Sequence, residues 1–243
     1  MAERFYCGDA QCEASQSLVL VGDEAHHLAR VRRIGVGAIV ELFDGRGYAT
    51  RAAVVSIARN EVVLRPDGLP LLDRLPPFRL ILATAVPKGD RLDWLVEKAT
   101  ELGVDRFVPI LNERSVVSPG LAKLARLRRN VIEASKQCGR NRLMTIDEPL
   151  PWPELLRSFG AIEPRLVAHP GGVPFGLWPR PRAGSEAIIA LGPEGGFTLG
   201  EINAAKDAGW GLAGLGATVL RMETAGLSAA VRLLALGECE GED

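Results

Sequence analysis

The rhythm of apolar and polar positions changes near residue 75. Before it, apolar residues come in short alternating runs, which predict strands at 38–43 and 48–57. Asp44, Gly45, Arg46 and Gly47 lie between them and predict a turn with positive-φ glycines. A further short strand is expected at 61–64, ended by Arg65, Pro66, Asp67 and Gly68. The exception is 23–31, where Asp23 can cap one or two helical turns. Residues 73–77, with Pro76 and Pro77, read as a linker, because proline suppresses both helix and central strand. The pattern predicts a β-rich unit over 1–72 and a second unit over 76–243.

In the second unit strand-like and helix-like segments alternate. Strands are expected at 79–86, 107–111, 165–168 and 187–191. Asp90 is the expected cap of a helix over 92–102 closed by Gly103, with Leu92, Leu95, Val96, Ala99 and Leu102 on one face. Ser118 and Pro119 open a basic helix running to about Cys138. Residues 170–184 read as a long proline- and glycine-rich loop. From 190 to 225 the pattern is apolar strand, glycine-bearing loop and capped helix, twice over. Thr198 and Glu201 fit a capping box, Gly209 fits a positive-φ helix end, and Thr224 can cap a last helix over 225–236. Such alternation predicts an α/β fold with a largely parallel sheet and a ligand at the carboxyl ends of its strands.

The chain has 243 residues, 47% of them hydrophobic, enough for a sizeable core. No apolar run approaches a membrane span and the N-terminus has no signal-like apolar region, so no membrane partner is expected. Cys7, Cys12, Cys138 and Cys239 are scattered, which fits neither a metal site nor a disulfide framework; reduced thiols in the cytoplasm are expected, and no metal. Net charge is −1 overall, but unevenly distributed. Residues 113–142 carry eight basic and two acidic residues, net +6, whereas 143–243 carry seven and thirteen, net −6. The basic stretch, including Arg126, Arg128 and Arg129, reads either as a solvated helix face or as a surface for a polyanion.

Gly209, Gly211 and Gly214 match G-x-G-x-x-G, but the match closes a helix and enters a strand, the reverse of a dinucleotide site. The loop around Gly192, Gly195 and Gly196 has no lysine and cannot be a Walker loop. Bare backbone at Gly192–Gly196 and at Gly216, with Leu191, Leu215 and Leu220 as aliphatic walls, suits an adenine edge; two tight turns would read the same way.

The two stretches L-G-P-E-G-G-F-T-L-G-E and L-G-A-T-V-L-R-M-E-T-A resemble the SPOUT class of RNA methyltransferases, and more narrowly the bacterial family that methylates N3 of a uridine in 16S (small-subunit) ribosomal RNA. Lys88-Gly-Asp-Arg-Leu-Asp-Trp94, Lys98-Ala-Thr-Glu-Leu-Gly-Val104 and Glu113-Arg-Ser are similar to further motifs of that family. So is Glu133-Ala-Ser-Lys-Gln-Cys-Gly-Arg140, with Cys138 for serine. His26, His27, Val31 and Arg33 resemble the start of its N-terminal PUA-like β-barrel, although Arg32 replaces the usual leucine and Ala38 the usual acid. The resemblance implies a trefoil-knotted methyltransferase domain after a small RNA-binding barrel. It also implies bound S-adenosyl-L-methionine and a homodimer whose chains jointly form each site.

Carried over by motif, the cofactor residues are Leu191, Gly192, Glu194, Gly196, Leu215, Gly216, Leu220, Arg221 and Met222, with His169 and Pro170 on a third side. Uracil N3 becomes nucleophilic only when its proton leaves, so the chemistry asks for a base and for a cation near O2 or O4. Arg114 and Arg221 are the candidate cations. Glu194 is a candidate base, or a partner for the cofactor's amino group or for an arginine. Candidate RNA contacts are His27, Arg33, Lys88, Arg91, Arg126, Arg129, Lys136, Gln137, Arg140 and Arg142, on an RNA already folded in the 30S subunit. Trp94 is expected in the core or a dimer interface. Alternatives are a knotted ribose 2′-O methyltransferase, for which the N-x-x-R and S-x-N signatures are missing, and a non-catalytic RNA-binding assembly factor. A nucleotide-dependent oxidoreductase would rest on the misplaced glycine motif alone.

Overall fold

The computed structural model describes residues 3–8, 17–68, 71–73, 76–87, 89–115 and 117–237. The chain forms two compact units, Met1–Arg74 with Ile132–Leu143, and Leu75–Val131 with Met144–Asp243.

The first unit holds a sheet in the order β1 (Arg4–Tyr6), β3 (Ile39–Phe43), β4 (Tyr48–Ile57), β5 (Glu61–Pro66), β2 (Leu18–Val21), with β6 (Leu71–Leu72) also on β4. Only the β1–β3 pair is parallel. Alternation sends Leu18, Leu20, Val62 and Leu64 inward, where they pack with Phe5, Leu28 and Leu42. The Asp44 carboxylate accepts from the backbone N–H groups of Arg46, Gly47 and Tyr48, which closes the expected turn. Helix α1 (Gly22–His26) is followed by a π-helical turn, His27–Val31. Its N-cap is Val21 and not the expected Asp23, which lies in the first turn where the helix dipole favours an acid.

The second unit is a parallel sheet in the order β10 (Leu150–Pro151), β8 (Arg106–Leu111), β7 (Arg79–Ala85), β12 (Glu186–Leu191), β11 (Arg165–Pro174), β13 (Gly211–Gly214), with β9 (Thr145–Ile146) on β8. Central strands β7 and β12 are almost continuously apolar because both of their faces are covered. Ile81, Ala83, Ile188 and Ala190 pack with α4 (Trp152–Ser158) and α5 (Leu199–Asp207). The opposite face carries Leu82, which meets α2 (Arg91–Glu101) and α6 (Met222–Gly237) around Gly226; a Cβ there would lie 3.2 Å from Leu95. Helix α3 (Leu121–Cys138) contributes residues to both units.

The capping box at Thr198 and Glu201 forms with both reciprocal bonds, and Gly209 has φ 77°. Besides the Asp23 cap, five local expectations are corrected. Helix α3 begins at Leu121, so Ser118 and Pro119 precede it and do not open it. Asp90 precedes α2 without capping it by its side chain, which turns toward Arg126 Nη2 at 3.4 Å. Leu102 is exposed, since it follows the last helical residue. Helix α6 begins at Met222, the Ala225 N–H donating to the Arg221 carbonyl, so Thr224 lies inside it. The expected loop 170–184 begins as strand: after a register shift between Ala168 and Val173, β11 pairs with β13 again through Val173 and Pro174. Gly172 permits this, because a Cβ there would be 2.6 Å from the Ala213 carbonyl carbon.

Candidate active site

Three connections converge at the carboxyl ends of β11, β12 and β13. They are the bulge in β11, the loop 192–198 after β12, and the loop 215–221 after β13. They enclose a cavity of about 590 Å³. Its lining includes every residue carried over for the cofactor: His169, Pro170, Leu191, Gly192, Glu194, Gly196, Leu215, Gly216, Leu220, Arg221 and Met222. Phe197, Thr218 and Val219 also line it. Nothing in their side-chain chemistry marks them in the sequence, and only loop closure brings them in.

Gly196 (φ 69°) and Gly216 (φ 142°) adopt conformations that favour glycine, and a Cβ on either would meet nothing within 4 Å. The constraint is therefore backbone shape, which leaves peptide groups uncovered toward a ligand. Gly192 is needed for closeness instead; its Cβ would lie 3.0 Å from the Phe197 ring. The imidazole Nδ1 of His169 accepts from the Gly171 N–H at 3.0 Å, leaving the other ring nitrogen to carry the proton when the ring is neutral. Exposed peptide groups between aliphatic walls, with two charged side chains, fit a nucleoside-containing ligand that bears charge.

Of the three candidate catalytic residues, Glu194 and Arg221 line the cavity. Arg114 approaches from the β8–α3 connection, and its guanidinium donates to the Gly195 carbonyl. Glu194 is paired: its Oε1 lies 3.0 Å from Arg91 Nη2. The other guanidinium nitrogen of Arg91 is 3.7 Å from Oε2 of Glu223, a buried residue in the first turn of α6. Arg91 was expected on RNA; its partners here are two carboxylates.

Much of the basic stretch is likewise paired within each unit. In the second unit Lys123 and Arg126 share the Asp93 carboxylate, and Arg128 meets Glu148 at 3.1 Å. In the first unit Lys136 is largely buried between Glu24 and Glu133. Arg142 is half-buried; its backbone N–H donates to Asp73 at 2.8 Å, and its guanidinium packs against Gly47. The His27 ring stands edge-on to Phe5. Arg33 is exposed with φ 54°, an uncommon conformation for arginine. Arg129 and Gln137 are exposed and Arg140 is half-buried, while Lys88 lies outside the described residues. Trp94 is 46% exposed, so it is not a core residue of the single chain. Among the described residues no helix is long and apolar enough to cross a membrane, and no group of three or more metal-ligating side chains could hold a metal ion.

The RNA methyltransferase domain family matches residues 74–234, and the RNA methyltransferase PUA domain family matches residues 20–67. The chain is 34% identical to the ribosomal RNA small subunit methyltransferase E of Mycobacterium bovis, over 90% of this chain and 85% of that protein. It is 29% identical to the protein of the same name from Bacillus subtilis, over 90% of each. Among solved structures, a ribosomal RNA small subunit methyltransferase E from Neisseria gonorrhoeae, bound to S-adenosyl methionine, superposes with a TM-score of 0.86 at 29% identity, covering 97% of this chain and 98% of that one.

Proposed function

The chain belongs to the ribosomal RNA small subunit methyltransferase E family of RNA methyltransferases, and from that premise we propose that it transfers a methyl group from S-adenosyl-L-methionine to N3 of a specific uridine in 16S ribosomal RNA. The observation that carries this reading is the cavity of about 590 Å³ whose lining includes all eleven residues of the two knot-loop motifs and of His169-Pro170. The Neisseria relative, similar over nearly the whole chain, was solved with that cofactor.

In this reading the uncovered peptide groups near Gly196 and Gly216 receive the adenine edge, between Leu191, Leu215 and Leu220. The cofactor, when bound, supplies an electrophilic methyl group on a sulfonium. The protein's part is to hold uracil N3 in line with it, to accept the N3 proton, and to stabilise charge spreading onto O2 and O4. Arg221, exposed on the rim and fixed by its carbonyl in the first turn of α6, is our candidate for the last role. Glu194, already paired with Arg91, reads better as an acceptor for a cationic group than as the base.

We read residues 1–72 as a PUA-like barrel that contacts RNA and 76–243 as a trefoil-knotted SPOUT domain. Supporting the knot, α6 follows the edge strand β13 yet packs on β7 and β12, so the chain must cross back over the strand ends through 215–221. Half-exposed Trp94 supports a homodimer, and an RNA shaped in the assembled 30S subunit is the favoured substrate. We assign the protein to the cytoplasm.

The test incubates purified protein, methyl-labelled cofactor and 30S subunits from a strain lacking the gene, then maps the label by digestion. Label on uridine N3 is expected. Label on a ribose 2′-oxygen, or none on RNA, would overturn the assignment. Arg221→Ala should abolish transfer without dissociating the dimer; normal turnover would remove Arg221 from the mechanism.

A further inference from the structure

Arg91 opens α2 and does not line the cavity, yet its guanidinium lies 3.0 Å from Glu194, which does. Behind it stands Glu223, 8% exposed, whose Oε2 is buried and accepts no hydrogen bond. A buried carboxylate with an unsatisfied oxygen is costly unless a cation lies close, and Arg91 Nη1 is 3.7 Å away. The three side chains therefore stand in a row from interior to cavity: Glu223, Arg91, Glu194. The two ends belong to two of the segments that wall the cavity, the start of α6 and the loop 192–198. A planar guanidinium can address both carboxylates at once, which a lysine ammonium on a flexible stem does poorly.

We infer that Arg91 is a positioning residue of the cofactor pocket: anchored by Glu223, it holds Glu194, and with it the loop 192–198, in the conformation that forms one wall. The inference rests on reading the cavity as the S-adenosyl-L-methionine site. It differs from an RNA-contact role for Arg91 in which ligand should feel the loss. An arginine on a phosphate would act on RNA affinity and salt dependence; an arginine acting through Glu194 should act on the cofactor.

The experiment measures S-adenosyl-L-methionine binding by calorimetry, and KM for 30S subunits and for cofactor, in the unaltered protein and in Arg91→Gln, Arg91→Lys, Glu194→Gln and the Arg91→Gln/Glu194→Gln double variant. Circular dichroism and thermal unfolding establish that each is folded. Arg91→Gln is expected to weaken cofactor binding about tenfold, within the range of coupling for groups in one charged network. KM for 30S subunits should stay unchanged. Arg91→Lys should recover part of the loss, and remains informative if the glutamine variant fails to fold. Because Arg91 acts through Glu194, the double variant should bind no more weakly than Glu194→Gln alone. Three results would overturn the inference: unchanged cofactor affinity with a raised KM for 30S subunits in Arg91→Gln, no recovery by lysine, or additive losses in the double variant. Failure of the unaltered protein to bind the cofactor would overturn the cofactor reading and this inference with it, so the two failures are told apart by the first measurement.

Discussion

The guanidinium of Arg114 donates a hydrogen bond to the carbonyl oxygen of Gly195, 81 residues away in sequence. The preceding residue acts on the same segment, since the Glu113 N–H donates to Glu201 Oε1 at 2.8 Å. Glu201 at the same time closes the capping box by accepting from the Thr198 N–H with its other oxygen. Adjacent residues of the β8–α3 connection thus hold the cavity loop near its middle and at its end. This gives Arg114 a task separate from the proposed stabilisation of uracil charge, and the two tasks differ in what they predict.

If loop holding dominates, Arg114→Ala should raise the dissociation constant for S-adenosyl-L-methionine roughly 3- to 10-fold, the scale of one hydrogen bond of about 1 kcal/mol. Thermal stability should change little because the side chain is exposed. Calorimetry and single-turnover rates separate the roles. A fall in the methyl-transfer rate at saturating cofactor, with affinity unchanged, would assign Arg114 to the transition state instead.

Lys136 offers a sharper contrast between a structural and an RNA-contact role. Its side chain is 9% exposed and pairs with both Glu24 and Glu133. Glu24 is itself tied down, accepting from the Tyr6 backbone N–H at 3.1 Å. Lys136→Met should leave the Glu24 carboxylate without its cation and destabilise the protein by about 2–4 kcal/mol in urea unfolding, in line with removal of one partner of a mostly buried pair. An RNA contact would show the opposite profile, with unchanged stability and weaker, less salt-dependent RNA binding.

These cases mark what was legible in the sequence. The Thr198–Glu201 capping box and the Asp44 turn were readable because their partners lie within four residues of one another. The parallel sheet was readable because strand-like and helix-like segments alternate and β7 and β12 are almost continuously apolar. The cavity lining was readable through the resemblance of the two loop motifs; the glycine-bearing loops alone would have read equally well as two tight turns. What the basic run from 113 to 142 did not reveal is its pairing, for a physical reason: charge counted along the chain ignores carboxylates on other elements. Asp93 answers Lys123 and Arg126, Glu148 answers Arg128, and Glu24 answers Lys136. Arg91 was invisible as a partner of Glu194 for the same reason. Helix α4 escaped because seven residues are too few for a clear period, although Pro153 after Trp152 is a proper start signal.

Asp93 also carries a pH dependence. Burial alone would push its carboxyl up, but hydrogen bonds from Arg126 and Lys123 outweigh that and hold it below its ordinary value of 3.8. The folded state thus gives up this proton more readily than the unfolded chain. The associated stability is fully present above the unfolded value and is lost as pH falls through the folded one. Asp93→Asn should therefore be less stable than the unaltered protein at neutral pH, and the gap should narrow as the pH falls through and below the ordinary carboxyl value of 3.8. Urea unfolding across that range is the measurement, and a gap that does not vary with pH would count against the cluster.

The pair Gly171 and Gly172 tests how the outer sheet edge shapes the cavity. A Cβ at Gly172 would lie 2.6 Å from the Ala213 carbonyl carbon and 2.7 Å from the backbone nitrogens of Ala213 and Gly214. The three nearest atoms are all main chain, so no swing of a side chain relieves the clash and the two strands must part. At Gly171 the nearest atoms are those of the His169 ring, at 3.4 and 3.5 Å, an ordinary contact. Gly172→Ala should cost about 1–3 kcal/mol, the scale of overpacking, and lower the melting temperature by roughly 2–10 °C for a chain of this size. Parting β11 from β13 also moves the bulge that presents His169 and Pro170 to the cavity, so cofactor affinity should fall with stability. Gly171→Ala should leave both nearly unchanged. Equal losses in the two variants would mean that the close approach at Ala213 does not set the geometry of this wall.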